Sequence, residues 1–553
     1  MSGSRPAGDG RQDALVAAFR SQVTAALAAH DGSTSAALDG LAAAQPSLTN
    51  LLAVEYARAG ALEQARALLQ SLVAAAPGGD ILRFLNNLVY VEQERGDYEA
   101  AWGAVRQLLA MHPDTGCRLA AAVARSAMLG GAQDIFWAAN AAVRALRPDD
   151  IRAWSAAYIA GELRLMPGEE RPVRHLAIRQ APLVRQVRHR PEPLRLALIG
   201  SDFGSGTSMN RTLGPFRRLP ELGFEVHCLW LRDGVAPDMS GFPGARLTQV
   251  PEGNADALRS ALAEIAPDVT IDLAYHGQPD SFRALAQRTS PLQLGWSGNG
   301  VSAGVDVFDA ILTDRFHCPP GAERHYVERI IRIPVHSVTV EPYPSYPDCS
   351  ELPADRNGHV TFGAFHRLSK LSPAVLSLWA EVLDAVPGSR LRIKTFLLDI
   401  EEIASRIRAA FVERGTDPGR LELLGGTDHE THCRAAASVD IALGPFPEQG
   451  NVTDFDSFWM GVPTIGYSVD DRPCARTAGV ISAAAGAAFL TVGSPEAYVA
   501  TARDLAAERD YLRISRGRFR QNILESGLTD HDATARALAT AIRRLWAELP
   551  PAG

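Results

Sequence analysis

The chain has 553 residues, 46% of them hydrophobic and 21% charged, a globular balance that excludes disorder and fibrous repeats and sets a prior of roughly three to four domains. Lys and Arg number 55 against 63 Asp and Glu, a formal charge of −8. Nucleic acid is therefore not an expected partner, because such binders carry a basic surplus and the one basic stretch, Arg171 to Arg190, has the composition of a linker. None of the six cysteines lies two residues from another, which excludes zinc and thioredoxin spacings and fits a reducing compartment. Met1 to Gln12 is polar and Gly-rich, so no secretory signal is predicted. The longest uncharged apolar run, Val480 to Val492, falls short of the about 20 residues a membrane span needs. A cytoplasmic protein is expected.

The first elements in the chain repeat. Gly60, Gly96 and Gly131 are each followed seventeen residues later by Pro77, Pro113 and Pro148, a period of 36 and then 35 residues. Each unit predicts two short amphipathic helices. In the second unit Phe84, Leu85, Leu88 and Val89 form one apolar stripe, and Ala101, Val105, Leu108 and Leu109 the next. Gly96-Asp97 breaks the chain between them, and Pro113 ends the second helix. Ala65 and Ala101 take matching positions where a small side chain allows close helix approach, and Phe136 departs from that rule. The pattern resembles the tetratricopeptide repeat, from about Leu48 to Asp149. An all-α solenoid is expected over residues 1–165, followed by a linker over 166–192; solenoids of this kind present a groove to peptides or proteins.

Beyond Arg190 the texture becomes apolar runs of strand length: Leu194 to Gly200, Val226 to Leu231, Val269 to Ala274, Leu292 to Trp296 and Ala310 to Leu312. Helical stretches such as Ala255 to Ile265 and Ser281 to Arg288 separate them. Val340 to Asn357 carries four prolines, and a second alternation follows: Val360 to Phe365, Leu391 to Phe396, Leu421 to Leu424, Ile441 to Leu443, Thr464 to Tyr467 and Phe489 to Val492. Near-continuous apolar strands between helices predict buried parallel sheets. The expected architecture is two doubly wound α/β domains, 193–345 and 346–553, facing a cleft where ligands bind at the carboxyl ends of the strands.

Three strand ends carry candidate chemistry. Val360 to Phe365 runs into His366-Arg367-Leu368-Ser369-Lys370, and Ser372-Pro373 then opens a helix. Exposed amides at a helix start beside a lysine make an anion site suited to a phosphate or diphosphate. Gly425-Gly426-Thr427-Asp428 leads into a helix bearing His432, which could stack on or hydrogen-bond a base. The third end is Gly444 to Asp456, with Gly450 allowing a turn and Thr453 and Asp456 at capping-box spacing. A carboxylate there could also take two ribose hydroxyls. Asp454 and Asp456 form an isolated Asp-x-Asp, a weak metal pattern.

These residues make the chain recognisable. It resembles the O-linked N-acetylglucosamine transferase family, with its HMW1C-type and flagellin-modifying relatives, from about Leu194 to Trp546. The resemblance is carried by Ser201-Asp202-Phe203-Gly204; by Ser290 to Trp296; by Leu368-Ser369-Lys370 with Leu378-Trp379; by His432 eight residues before Asp440; and by Gly450 to Asp456 leading into Trp459-Met460-Gly461-Val462-Pro463. It implies a GT-B fold and metal-independent transfer from a nucleotide sugar to protein side chains. Lys370 matches the family's diphosphate lysine, His432 the histidine against the uracil and Asp456 the ribose aspartate. Gly450, Asn451 and Thr453 match the diphosphate loop, and Ser297 to Gly304 a loop near the donor sugar. Arg367 joins Lys370 in supplying the positive charge that the acidic chain lacks on average. Two positions depart from the O-linked N-acetylglucosamine transferases. Ser205-Gly206-Thr207-Ser208-Met209-Asn210-Arg211-Thr212 replaces a histidine-bearing loop, and Asn451 replaces a histidine; both are similar to the HMW1C-type branch.

The resulting expectation is inverting transfer of a hexose or N-acetylhexosamine from a UDP-sugar to Ser or Thr of a protein acceptor, the acceptor using the repeat groove. No metal or other cofactor is expected. Lys370 would stabilise the departing diphosphate, and Asp202 and His276 are the candidate bases. The rival readings are a flagellin transferase using a nonulosonic sugar carried on CMP, an Asn-directed HMW1C-like transferase, and a non-catalytic scaffold with a degenerate transferase half.

Overall fold

The computed structural model describes residues 46–75, 80–169, 193–204, 210–296, 300–348 and 351–549. They divide into two compact units. The first runs to Pro148, with Ile400–Arg406 assigned to it. Its six described helices are α1 (Pro46–Arg58), α2 (Leu62–Ala75), α3 (Ile81–Arg95), α4 (Tyr98–Met111), α5 (Pro113–Leu129) and α6 (Gln133–Leu146), each packed on the next. Gly60, Gly96 and Gly131 stand between the helices of each pair with φ of 78°, 76° and 75°. That left-handed geometry is why the 35-to-36-residue period is marked by glycine. Pro113 is the first residue of α5, where a missing N–H costs nothing; Pro77 lies outside the described residues. Ala65, Ala101 and the anomalous Phe136 are all buried at their matching positions. The unit is an all-helical repeat.

The second unit begins at Asp149, so α7 (Ile151–Arg164) belongs with the sheets. Its contacts explain this. The Tyr158 ring stacks on His276, and Arg472 donates to the carbonyls of Glu162 at 2.7 Å and Leu165 at 3.0 Å. A seven-stranded parallel sheet follows, in the order β3-β2-β1-β4-β5-β6-β7. Its strands are β1 (Arg195–Gly200), β2 (Glu225–Leu231), β3 (Arg246–Val250), β4 (Val269–Asp272), β5 (Leu292–Trp296), β6 (Ala310–Asp314) and β7 (Ile330–Ile333). The second sheet is parallel and six-stranded, in the order β10-β9-β8-β11-β12-β13. It is built from β8 (Thr361–Ala364), β9 (Arg390–Lys394), β10 (Leu421–Leu424), β11 (Ile441–Leu443), β12 (Thr464–Tyr467) and β13 (Thr491–Val492).

The edge strands β3 and β7 escape the sequence pattern. The β3 segment Arg-Leu-Thr-Gln-Val is partly solvated, so it lacks the apolar run that marks a strand buried on both faces. The last helix, His531–Ala547, returns to the first sheet: Leu538, Ile542 and Leu545 join a core containing Leu196, Leu198, Phe216 and Trp296. The strand order reverses between β1 and β4 in one sheet and between β8 and β11 in the other. Those two reversals open the crevices where a doubly wound sheet takes its ligand. Among the described residues no helix is long and apolar enough to cross a membrane, and the five described cysteines are buried.

Candidate functional site

The crevice beyond β8 and β11 gathers most of the residues singled out in the sequence. After β8 the chain makes a short turn over Leu368–Lys370. Ser372 then caps the Pro373–Ala385 helix, its Oγ accepting from the Val375 amide at 3.3 Å. This holds Lys370 against the loop that follows β11. Lys370 Nζ donates to the Gln449 carbonyl at 2.7 Å and lies 3.4 Å from Glu448 Oε1. Glu448 also meets Arg367 at 2.7 Å and Arg164 at 3.0 Å. Burial lowers the Lys370 amine from its ordinary value. Burial raises the Glu448 carboxyl, but Arg164, Lys370 and Arg367 outweigh it and hold it well below the usual range. The arrangement is a buried acid ringed by three cations.

Past Gln449, Gly450 is buried, and its need for glycine is steric. A Cβ there would lie 2.0 Å from Asp454 Oδ1, and its φ is not left-handed. The predicted capping box does not form. The Val452–Trp459 helix starts at Asn451 as N-cap with no side-chain cap bond, so Thr453 and Asp456 both lie inside it. Asp456 instead turns toward Arg211: Nη1 approaches Oδ1 at 2.9 Å and Oδ2 at 3.1 Å, and the Tyr346 hydroxyl donates to Oδ1. Arg211 Nε donates to the Glu341 carbonyl at 2.8 Å and Nη2 lies 2.7 Å from the Tyr346 oxygen. Its guanidinium carbon is 4.1 Å from the centre of the Tyr343 ring. A ribose hydroxyl would share the remaining lone pairs of Asp456.

Asp454, two residues earlier on that helix, is fully buried, and both oxygens lack a hydrogen-bond partner among the described residues. Its Oδ1 is 3.6 Å from Nε2 of buried His366. Burial, opposed by Lys370, pushes the carboxyl up to about 7, while burial and Lys370 hold His366 neutral. The Asp-x-Asp pair thus has two separate environments. Among the described residues no group of three or more His, Cys, Asp or Glu could hold a metal ion.

His432 sits on the His429–Ala437 helix, capped by Asp428, which accepts from the Thr431 amide at 2.9 Å. Its ring meets Phe365 edge-on at 5.9 Å. Burial and Lys394 push it down to about 4, so it is neutral near pH 7 and able to stack or accept a hydrogen bond.

The two candidate bases stand elsewhere. Asp202, past the end of β1, accepts from Ser201 Oγ at 3.2 Å and lies 4.0 Å from Arg232. His276 is buried and engaged at both nitrogens: Nδ1 lies 2.7 Å from Ser155 Oγ, Nε2 lies 3.1 Å from the Ser302 carbonyl, and burial drives it down to about 4. Within the loop from 297, residues 297–299 fall outside the described residues. Gly304, with φ of 65°, presses on the Tyr158 ring, where a Cβ would meet it at 2.6 Å.

Sequence reasoning gave no role to Glu448, His366, Arg164, Tyr343 or Tyr346, and considered Asp454 only as half of a weak metal pattern. An acid inside an anion-binding loop was the available sign for Glu448. The tyrosines were hidden in a segment read only as a proline-rich connection.

Two parallel doubly wound sheets, with a lysine and a helix start at the reversal point of one, are the architecture in which such folds take ligands at the carboxyl ends of their strands. Residues 349–538 match the model of glycosyl transferase family 41. The chain is 32% identical over 290 residues to the probable UDP-N-acetylglucosamine–peptide N-acetylglucosaminyltransferase SPINDLY of Oryza sativa subsp. japonica, covering 52% of this chain and 31% of the relative. It is 24% identical over 374 residues to the probable UDP-N-acetylglucosamine–peptide N-acetylglucosaminyltransferase SEC of Arabidopsis thaliana, covering 64% of this chain and 37% of the relative. The chain thus spans about a third of the length of these curated relatives. A solved structure of a Thermobaculum terrenum O-GlcNAc transferase mutant superposes with a TM-score of 0.71 at 24% identity, covering 91% of this chain and 98% of that one. The fold is accordingly GT-B behind a helical repeat, as the resemblance in the sequence implied.

Proposed function

We propose that this protein is an inverting glycosyltransferase that moves a hexose or N-acetylhexosamine from a UDP-sugar to a Ser or Thr hydroxyl of a protein acceptor. The observation that carries the reading is the buried Lys370 amine, held 2.7 Å from the Gln449 carbonyl at the crevice where β8 and β11 diverge. In the reaction the acceptor oxygen bonds to the anomeric carbon as the bond from that carbon to the diphosphate oxygen breaks. The electron pair leaves with the diphosphate, where Lys370, Arg367 and the amides preceding the Val452–Trp459 helix offset it. The hydroxyl proton passes to the departing diphosphate, a route that uses neither His276 nor a metal. His432, neutral and beside Phe365, faces the base. Asp456, oriented by Arg211 and Tyr346, accepts from the ribose. The helical repeat offers the acceptor a groove.

Calorimetric titration of UDP and CMP into the full chain and Lys370→Ala, with mass spectrometry of a co-expressed acceptor, tests this reading. The expected result is UDP binding weakened about tenfold and transfer lost in the variant, since one preorganised donor is worth about 10²–10³ in rate. Normal turnover by the variant refutes the mechanism. Binding of CMP in preference to UDP would move the donor to an acidic sugar on a nucleoside monophosphate.

A further inference from the structure

A cavity of about 710 Å³ lies within the second unit, lined from both sheets and by none of the residues assigned above to the nucleotide. Its volume falls in the range of small-molecule sites. Arg315 and Phe316, just past β6, and His336, past β7, line it from the first sheet. Ser468, past β12, and Arg476 and Val480, around the start of the Thr477–Ala484 helix, line it from the second.

Its charge is one-sided: two guanidiniums and no carboxylate line it. The neighbouring Asp314 is ionised but does not line the cavity, and its hydrogen-bonding capacity is taken up by other partners. Its oxygens take His317 Nδ1 at 3.0 Å and the amide and hydroxyl of Ser337 at 2.6 Å each, and despite burial these partners hold it well below the usual carboxylate range. Two polar atoms of the lining are also stranded. Arg476 Nε and His336 Nδ1 are buried with no hydrogen-bond partner among the described residues, and His336 is 7% exposed. A buried polar atom left unpaired costs about 1–3 kcal/mol, so the Arg476 Nε donor in this wall points to an acceptor that arrives from outside, and the His336 ring nitrogen to a further polar partner. The remainder of the wall suits a carbon body. The Phe316 and His336 rings stack at 4.2 Å and 20°, forming a flat shelf, and Val480 and Ala483 face the same space.

We infer that this cavity is a second ligand site, for an organic anion whose carboxylate or phosphate sits between Arg315 and Arg476 while its flat or apolar body lies on the Phe316–His336 shelf. The site communicates with the lysine cluster through one residue. Ser468 Oγ accepts from Gln449 Nε2 at 3.3 Å, the Ala478 amide donates to Gln449 Oε1 at 2.9 Å, and the Gln449 carbonyl takes Lys370. An anion held at Ser468 and Arg476 therefore alters nucleotide affinity, and the nucleotide alters anion affinity by the same factor. The anion site itself does not depend on the transferase reading.

The probes are benzoate, phenyl phosphate and inorganic phosphate, titrated by ligand-observed NMR into the full chain with and without saturating UDP. Saturable binding of benzoate or phenyl phosphate is expected to persist under UDP, and the tighter of the two tells whether the site prefers carboxylate or phosphate. Arg315→Gln with Arg476→Gln should weaken it about tenfold, as expected for losing charge-assisted bonds, while UDP affinity stays within the limits set by the coupling. Should that pair melt early, Arg315→Gln alone, on the exposed rim, and Val480→Trp, which fills the cavity, must each reduce binding. Absence of saturable binding, full competition by UDP, equal affinity for bare phosphate, or unchanged binding in the variants overturns the inference. UDP binding by the wild-type chain is read in the same titrations, so failure of the donor-site reading is seen separately.

Discussion

Replacing Arg211 with methionine removes the group that joins the loop after β1, the Tyr343–Tyr346 segment and the Val452–Trp459 helix. Arg211 is 6% exposed at its side chain and Asp456 15%, with two N–O contacts of 2.9 and 3.1 Å between them. The methionine keeps the stem but leaves the Asp456 carboxylate buried with only the Tyr346 hydroxyl. Losing one partner of a buried pair costs about 3–5 kcal/mol, most of it from the stranded charge. For a unit of this size that corresponds to a fall of about 4–6 °C in Tm. Adding Asp456→Asn removes the charge, so the double variant should regain about half of the loss and reveal coupling of roughly 1–3 kcal/mol. The assay is thermal melting of wild type, both single variants and the double variant, paired with UDP titration. Arg211→Met melting within about 1 °C of wild type, or a double variant less stable than Arg211→Met, refutes the reasoning.

Glu448→Gln should lower stability at pH 7 and flatten the acid limb. The folded carboxyl lies below its unfolded value, so its contribution is present above about pH 4.3 and disappears as pH falls through the folded value; melting curves from pH 3.5 to 7 that stay parallel to wild type would contradict this. His276→Phe keeps a ring but strands Ser155 Oγ and the Ser302 carbonyl. It should cost about 1–3 kcal/mol of stability yet leave transfer per folded molecule within about threefold, whereas a loss above about 100-fold would restore it as a base. Asp454→Asn should stabilise the protein more at pH 8.5 than at pH 5.5. The raised carboxyl, at about 7, contributes fully below its unfolded value of about 3.9 and loses that contribution as pH rises through the folded value. An equal effect at both pH values, read by chemical or thermal melting, would exclude it.

Local features were legible wherever the constraint is local. Gly60, Gly96 and Gly131 announce the helical hairpins because only glycine takes their φ near 76° without strain. Ser372-Pro373 announces a helix start because cap and first turn are adjacent in the chain. The parallel strands show as apolar runs because helices cover both faces. β3 was hidden because half-solvated edge strands carry no such run. The capping box at Thr453–Asp456 was misread for a related reason: spacing alone does not say where a helix begins, and here the N-cap is Asn451, two residues before Thr453.

By itself, then, the chain's order of residues determined the helical repeat, the two doubly wound halves and the placing of Lys370 and His432 at strand ends. Tertiary structure alone decided the partners. Arg211 reaches Asp456 across 245 positions of sequence, and Arg164, on the helix that closes the first 165 residues, reaches Glu448. It also separated Asp454 from Asp456, raising one carboxyl in a pocket without donors and binding the other to arginine. The physical reason is that helix, strand and turn preferences act over a few residues, whereas desolvation and charge pairing depend on what the folded chain brings together in space.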